Sequence, residues 1–160
     1  MEPRIETFPE KKLVGRRLKM SFAQDRTFEL WRSFMPGCTS IRHKITSDLF
    51  SMQVYDQLPD FINFNPEITF DKWALIEVSE FEEIPGDMES FIFPGGLYAV
   101  FIHKGPASSS YKTFQYIFNT WLPNSDFELD HRAHLAIMGD KYKQEAPDSE
   151  EEIWIPVKAK

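Results

Sequence analysis

The stretch Thr27–Pro36 (TFELWRSFMP) returns 86 residues later as Thr113–Pro123 (TFQYIFNTWLP), with one extra residue before the second proline. A strand-like run follows each copy at the same offset, Asp48–Met52 in the first half and His134–Met138 in the second. Two copies of one unit commonly bury their faces against each other. The repeat therefore predicts a chain built from two similar halves with a seam between them.

Each half then closes on a strand centred on a tryptophan, Trp73 in the first half and Trp154 in the second. The periodicity of the apolar residues predicts the same order of elements in each half: a strand, a helix and two further strands. We predict one domain over residues 1–160, with internal repeats at residues 1–84 and 88–158. The predicted fold class is α+β: a tandem pseudo-two-fold repeat forming a mostly antiparallel sheet, with two helices on one face and a groove between the copies. Such a seam is a favoured place for a ligand pocket.

The composition excludes several classes of protein. Hydrophobic residues make up 42% of the chain, which is typical of a globular protein. The net charge of −7 argues against direct binding of nucleic acid. The sequence has no apolar run of membrane-spanning length and no signal-peptide pattern, and its single Cys38 cannot form an intramolecular disulfide. We therefore predict a cytoplasmic protein that does not bind membranes.

Both predicted helices carry an apolar stripe, and both stripes are expected to pack on the sheet. Leu30 and Tyr116 occupy equivalent repeat positions off these stripes, and Tyr116 is either an ordinary surface residue or a flank of the groove. The stripes consist of Phe28, Trp31, Phe34 and Met35 in the first helix, and of Phe114, Ile117, Phe118 and Trp121 in the second.

Two connections stand out between the predicted strands. Residues 56–71 form a long connection with interleaved phenylalanines, and loops of that length are often functional or act as lids. The segment Pro94–Gly96 separates two apolar runs, and is either the turn of a hairpin or a glycine bulge in one bent strand. The acidic run Asp148–Glu152 is predicted to be a solvated loop.

Several motifs of the second half, in the same order, resemble the GyrI-like small-molecule-binding family. They are Gly95–Gly105, the helix end Trp121–Ser125, the segment Phe127–Leu129 and the closing strand Ile153–Val157. That family includes the effector-binding domains of multidrug-sensing transcription activators and a gyrase-inhibitory protein. The resemblance implies a tandem strand-helix-strand-strand fold whose groove holds a flat aromatic or cationic ligand.

The sequence departs from the family pattern in two respects. The family often carries a glutamate on the strand after the Phe-x-Leu segment, and the aligned residue here is Ala136. This departure weakens the expectation of cation binding. It also weakens the expectation of hydrolysis, because some family members resemble hydrolases that open strained rings and an acidic residue is important for that activity. The transcription activators carry a DNA-binding domain before the effector domain, whereas this chain begins almost directly with its first strand. It is therefore expected to be a free-standing member.

The predicted walls of the groove combine aromatic, methionine and small side chains. Strand alternation places Trp154 on the face opposite to Ile153, Ile155 and Val157, which suit the helix-covered core. Trp154 and its repeat partner Trp73 either bracket a ligand or cover the sheet. Phe50 and Met52 are taken as repeat equivalents of Ala136 and Met138. The predicted ligand-binding residues are Phe50, Met52, Trp73, Tyr116, Ala136, Met138 and Trp154.

Motifs for chemistry are scarce. His131 and His134 are expected on opposite faces of a strand, and there is no HExxH or Cys/His cluster, so no metal and no cofactor are predicted. Glu77, Glu128 and Glu152 are the carboxylates considered for a general base, and Glu77 and Glu152 are the weak catalytic candidates, with Tyr98 or Tyr116 as a polar partner.

Three functional hypotheses follow. The first is a binding protein for a small hydrophobic ligand, planar aromatic or cationic, held between the repeats. The second is a small hydrolase that acts on a reactive small molecule in the same groove. The third is an acidic protein-interaction module similar to a gyrase inhibitor, with an unidentified protein partner. An open apolar cleft at the seam favours the first two hypotheses, and a filled seam favours the third.

Overall fold

The computed structural model describes residues 2–160, which contain nine strands and two principal helical segments. The first helix α1 (Thr27–Phe34) continues as a 3-10 helix (Met35–Ser40). After a short 3-10 turn (Ala107–Ser109), the second segment runs through α2 (Ser110–Tyr116), a π-helical turn (Ile117–Trp121) and α3 (Leu122–Asn124). The strands are β1 (Arg4–Phe8), β2 (Lys11–Met20), β3 (Leu49–Val54), β4 (Phe70–Val78), β5 (Glu89–Phe93), β6 (Gly96–Lys104), β7 (Phe127–Leu129), β8 (His134–Met138) and β9 (Glu150–Ala159).

The strands form one antiparallel sheet in the order β1-β6-β9-β8-β3-β4-β2-β5, and β7 pairs with β9. Strands β2, β3 and β4 of the first half occupy places that correspond to β6, β8 and β9 of the second half. The central pair β3/β8 joins the two halves. The α+β fold predicted from the sequence is confirmed, and the symmetric strand order agrees with the internal duplication, which stays a prediction.

The pairing register fixes which residues share a face, because directly paired residues of antiparallel strands point to the same side. Across the four central strands, Ala74 pairs with Ser51, Ser51 with Ala136, and Ala136 with Ile153. These residues mark the face that the helices cover, which we call the helix face. The other side, which we call the tryptophan face, carries Trp73 and Trp154.

The chain crosses from one edge of the sheet to the other at two points. Strand β1 pairs with β6 although β2 follows it after two residues, and β5 pairs with β2 although β6 follows it after two residues. The hairpin considered for Pro94–Gly96 therefore does not form. The two crossings touch, because a Cβ on Gly95 would lie 2.3 Å from the carbonyl oxygen of Phe8. Gly95 has a φ of 81°, which favours glycine.

The crossings close the tryptophan face. The rings of Phe8 and Phe93 lie 5.4 Å apart, and Phe8 stacks on Trp154 at 3.9 Å. These crossing residues form one buried cluster with side chains from the central strands. The cluster consists of Phe8, Leu13, Phe50, Met52, Trp73, Leu75, Phe93, Tyr98, Val100, Leu135, Ile137 and Trp154.

The helices pack on the helix face in two separate clusters, one for each half. In the second half, Ile117 and Phe118 are buried as predicted. In the first half the predicted stripe is wrong in part, because Leu30 and Phe34 are buried whereas Phe28 is 78% exposed. Leu30 and Phe34 are one helical turn apart and point together at the sheet, which leaves Phe28 on the outer side. Among residues 2–160, no helix has the length and apolarity that crossing a membrane requires.

Candidate functional site

The two helices leave the middle of the helix face partly open. Under the helices, the strand residues Ala74, Ile76, Phe101 and Ile153 are buried. On the central strands β3 and β8 between the helices, the residues of the same face are only half-buried, except for His134, which is buried. We call this strip the seam groove, and its floor consists of Leu49, Ser51, Gln53, Ala136 and Met138.

The ends of the seam groove differ. At the end near Gln53, the long connection between β3 and β4 crosses the seam, and its Phe61 packs against the helix clusters of both halves. Phe61 stacks on Phe118 of the second half with a centroid distance of 4.5 Å. The connection therefore closes one end of the seam groove, as a lid would.

A carboxylate lies beside the floor of the seam groove. Glu151 on β9 is half-buried, and it points to the helix face because it pairs with His103, whose ring hydrogen-bonds Thr113 of α2 at 2.8 Å. Glu151 makes no hydrogen bond or ion pair within residues 2–160. Burial raises its pKa, and the attraction of His103 and Lys72 only partly opposes this effect. An acid in such surroundings favours a cationic partner.

An ammonium group approaches the seam groove from the other half. Lys72 on β4 pairs with Gln53, so it also points to the helix face. Its Nζ donates a hydrogen bond to the Thr27 hydroxyl at 3.1 Å, and it forms no ion pair within the described part of the chain. Burial lowers the pKa of Lys72, while the charges of Asp25 and Glu151 raise it. Two shielded and unpaired charges of opposite sign therefore face one groove.

The predicted ligand-binding residues divide between the two faces. Phe50, Met52, Trp73 and Trp154 lie together in the buried cluster of the tryptophan face. Ala136 and Met138 lie on the floor of the seam groove. The predicted equivalence of Phe50 with Ala136 is wrong in its face, because Phe50 pairs with Ile137. An offset that errs by one residue moves a strand side chain to the opposite face.

Tyr116 lies outside the seam groove. It borders a surface depression of about 390 Å³ together with Glu2, Ile5 and Trp121, at the outer edge of the second half. A second depression of about 690 Å³ lies along the free end of β6, beside Lys104 and Lys112. Neither depression is lined by a floor residue of the seam groove.

The two weak catalytic candidates lie on the tryptophan face and are already paired. The carboxylate of Glu77 accepts a hydrogen bond from Lys11 Nζ at 3.2 Å. Glu152 accepts hydrogen bonds from Arg4 at 2.8 Å and from the Trp154 indole at 3.2 Å. Neither carboxylate faces the seam groove.

Sequence reasoning missed Glu151 and Lys72. The prediction of a solvated loop over Asp148–Glu152 is wrong for its last three residues, because β9 begins at Glu150. The alternation of β9 was already visible from Ile153 to Val157, and extending it by two residues would have placed Glu151 on the helix face. Lys72 is a charged residue directly before the apolar run Trp73–Ile76, and its burial depends on α1.

One group of possible metal ligands lies away from the groove. His43 Nε2 is 3.2 Å from the carboxylates of both Glu80 and Glu82. The side chains of Glu80 and Glu82 are 56% and 49% exposed, and exposed acidic groups of this kind commonly hold no ion. We assign no metal to this group.

The sequence profile of the GyrI-like small molecule binding domain matches residues 1–158, so the chain belongs to the GyrI-like family. The transcriptional regulator BrlR of Pseudomonas aeruginosa is 28% identical over 158 residues, which cover 98% of this chain and 56% of BrlR. The chain thus spans about half the length of that relative.

Two solved structures share the fold. SAV2435 bound to tetraphenylphosphonium has a TM-score of 0.73 at 14% identity, covering 99% of this chain and 94% of SAV2435. The C-terminal domain of EcmrR has a TM-score of 0.71 at 17% identity, covering 99% of this chain and 98% of that domain. The expected membership of the GyrI-like family is confirmed, and the small-molecule-binding class comes with it.

Proposed function

We propose that this chain binds a small hydrophobic ligand, planar aromatic or cationic, in the seam groove. The observation that carries the proposal is the uncovered floor at Ala136 and Met138 beside the unpaired carboxylate of Glu151. Ala136 adds little volume, so a flat ring can approach the sheet closely. The family assignment and the tetraphenylphosphonium bound by SAV2435 support the proposal.

Two physical terms supply the affinity. Burying about 150 Å² of ring surface contributes about 4 kcal/mol, from which association costs are subtracted. The carboxylate of Glu151 adds attraction for a cation, because it lies in a shielded place and has no internal partner. Lys72 limits this attraction on the other side of the groove, so the positive charge of the ligand is expected on the Glu151 side. In this proposal Glu151 supplies the carboxylate that the family often carries at the position aligned with Ala136.

The test is a calorimetric titration with tetraphenylphosphonium. We expect saturable binding to the natural chain and no detectable binding to Ala136→Trp, whose indole fills the floor. Ser90→Trp is the matched control, because Ser90 lies on the same face but on the edge strand β5 and is exposed. Equal binding to both variants, or no binding to the natural chain across a panel of planar aromatic and cationic compounds, would falsify the proposal.

A second candidate function is hydrolysis in the same groove. It is favoured by the raised pKa of Glu151, which brings this carboxylate closer to the range of a general base. Glu77 and Glu152 are not proposed for this role, because they lie on the other face. The test is hydrolysis of an activated cyclopropane by the natural chain and by Glu151→Gln. Equal turnover by the two proteins would exclude Glu151 as the base.

Partners other than a small molecule stay predictions. With a net charge of −7, direct contact with nucleic acid is not proposed for this chain. The third hypothesis, an acidic interaction module, predicts a protein partner, and we assign no docking surface to such a partner. The predicted cytoplasmic location also stays a prediction.

A further inference from the structure

Four phenylalanine rings form a nearly parallel stack across the seam. Phe64 and Phe61 come from the connection between β3 and β4, and their centroids lie 5.4 Å apart at 7° between the planes. Phe61 lies 4.5 Å from Phe118 at 13°, and Phe118 lies 6.5 Å from Phe114 at 8°. Phe61 therefore occupies an inner position in a stack that begins on the connection and ends on the second helical segment.

The imidazole of His134 lies beside this inner position. Its ring centroid is 5.3 Å from that of Phe61, 5.6 Å from that of Tyr55 and 6.5 Å from that of Phe118. His134 is on β8, two residues before Ala136, so both side chains point to the helix face. The floor of the seam groove therefore continues from Ala136 to His134, where Phe61 covers it.

The Nε2 atom of His134 is buried and has no hydrogen-bond partner within residues 2–160. Buried polar atoms in folded proteins normally have a partner, so an exception asks for an explanation. By contrast, the Nε2 atom of the nearby His131, an exposed residue, lies 2.9 Å from the carbonyl oxygen of Tyr55. Burial lowers the pKa of His134 to about 3, so the ring is neutral near pH 7 and presents one nitrogen as donor and one as acceptor.

We infer that Phe61 fills a ligand subsite whose polar group is His134 Nε2, and that the ligand is a planar aromatic compound carrying a hydroxyl group. This inference rests on the proposed function of the seam groove. The ligand ring replaces the Phe61 ring between Phe64 and Phe118, so the stacking is exchanged rather than lost. The hydroxyl then hydrogen-bonds Nε2, and because a hydroxyl both donates and accepts, it suits either tautomer of the imidazole.

The test compares two probes of one ring system, 2-naphthol and 2-methylnaphthalene, by competition with tetraphenylphosphonium and by direct titration. In the natural chain we expect 2-naphthol to bind about tenfold more tightly, since it supplies the missing hydrogen bond. In Phe61→Ala the affinity for 2-naphthol is expected to rise further, because the internal ring no longer competes. In His134→Phe the preference is expected to vanish, while 2-methylnaphthalene still binds.

Two controls keep the inference falsifiable if His134→Phe folds poorly. His134→Gln retains a hydrogen-bonding group at this position and is expected to keep a preference for 2-naphthol. In the natural chain labelled with ¹⁵N-histidine, 2-naphthol should shift the Nε2 resonance of His134, and 2-methylnaphthalene should not. A preference that is the same in the natural chain and in His134→Phe, or an unchanged Nε2 resonance, overturns the subsite.

The outcomes separate the subsite from the seam groove itself. If both probes bind equally, and Ala136→Trp blocks them, the groove stands and the role of His134 is overturned. If neither probe nor tetraphenylphosphonium binds, the proposed function and the subsite fall together.

Discussion

Glu151 and Glu152 are neighbours in the sequence, yet their carboxylates lie on opposite faces of the sheet. Glu152 is held on the tryptophan face by Arg4 and Trp154, whereas Glu151 points to the helix face without a partner among residues 2–160. Strand alternation alone causes this division. The pair offers two substitutions of identical chemistry, of which only one changes the seam groove.

Replacement of Glu151 by glutamine should weaken the binding of a cationic ligand. The substitution removes one shielded negative charge and keeps the size of the side chain, so we expect a loss of about tenfold in affinity for tetraphenylphosphonium. The measurement is isothermal titration calorimetry at pH 7. Glu152→Gln serves as the control and should change the affinity less than twofold; a similar loss in both variants would place the cation elsewhere.

Cation binding should also weaken in acid, at a higher pH than for an ordinary glutamate. Burial raises the pKa of Glu151, and the cation prefers the ionised form. The affinity should therefore be highest well above the raised pKa. It should fall as the pH drops through this pKa, because one proton binds to Glu151 and removes the negative charge. Titrations between pH 4 and pH 8 measure this dependence. An affinity that is flat over this range in the natural chain would contradict the role of Glu151.

The same substitution should stabilise the protein while it weakens binding. Because the pKa of Glu151 is raised in the folded chain, its contribution to stability is present at low pH and is lost as the pH rises through the folded pKa. Near pH 7 the ionised and partly buried carboxylate therefore destabilises the folded chain, and glutamine, which is neutral, removes this effect. We expect Glu151→Gln to raise Tm by about 2 °C in a thermal melt without ligand. A lower Tm would mean that Glu151 has a stabilising partner.

His134 should make the fold sensitive to acid. Burial depresses its pKa to about 3, below the ordinary value near 6.5. The unfolded chain therefore takes up a proton first, and stability is lost as the pH falls from about 6.5 towards 3, by roughly 1.4 kcal/mol per pH unit. Urea unfolding at pH 7 and pH 4.5 should show a smaller difference for His134→Phe than for the natural chain. If the change in the free energy of unfolding between pH 7 and pH 4.5 is equal in both proteins, the pKa of His134 is not depressed in the folded chain.

Arg132 should be essential for the junction of the two crossings. Its guanidinium donates hydrogen bonds to the carbonyl oxygens of Gly95, Leu97 and Val157, and it lies 4.8 Å from the centroid of the Tyr98 ring. Lysine cannot reproduce this planar set of donors. We expect Arg132→Lys to lower the free energy of unfolding by about 2 kcal/mol in urea.

Arg16→Lys is the control for that measurement. Arg16 pairs with Asp87 at 3.0 Å, and the two side chains are 31% and 59% exposed. Surface ion pairs contribute little, so a change below about 0.5 kcal/mol is expected. A comparable loss in both variants would mean that arginine chemistry as such, rather than the junction, stabilises the fold.

Much of the fold could be predicted from particular residues. The alternation Ile153, Ile155 and Val157 against Trp154 correctly assigned the two faces of β9, because a strand repeats every two residues whatever surrounds it. The stripe of the second helix correctly placed Ile117 and Phe118 in the core. Periodicity failed for Phe28, because an apolar side chain at the margin of a stripe is buried only if the partner surface extends that far.

The site was less predictable than the fold. Ala136 and Met138 lie on the floor of the seam groove, whereas Trp73 and Trp154 lie on the opposite face in a closed cluster. The sequence offset between the repeats aligns residues but does not determine the pairing register of β3 and β8. An error of one residue in that alignment assigns a strand side chain to the opposite face of the sheet. The burial of Lys72 and His134 depends on α1 and on the connection that carries Phe61, which are distant in the chain.

The sequence by itself determined the element types, the α+β class and the family, because periodicity and motif order are properties of the chain alone. Only the tertiary structure decided where the open surface lies. The crossings at Pro9 and Gly95 close the tryptophan face, and two helices that each cover their own half leave the helix face open between them. Which face stays accessible is set by contacts between residues far apart in the sequence, and no local pattern encodes them.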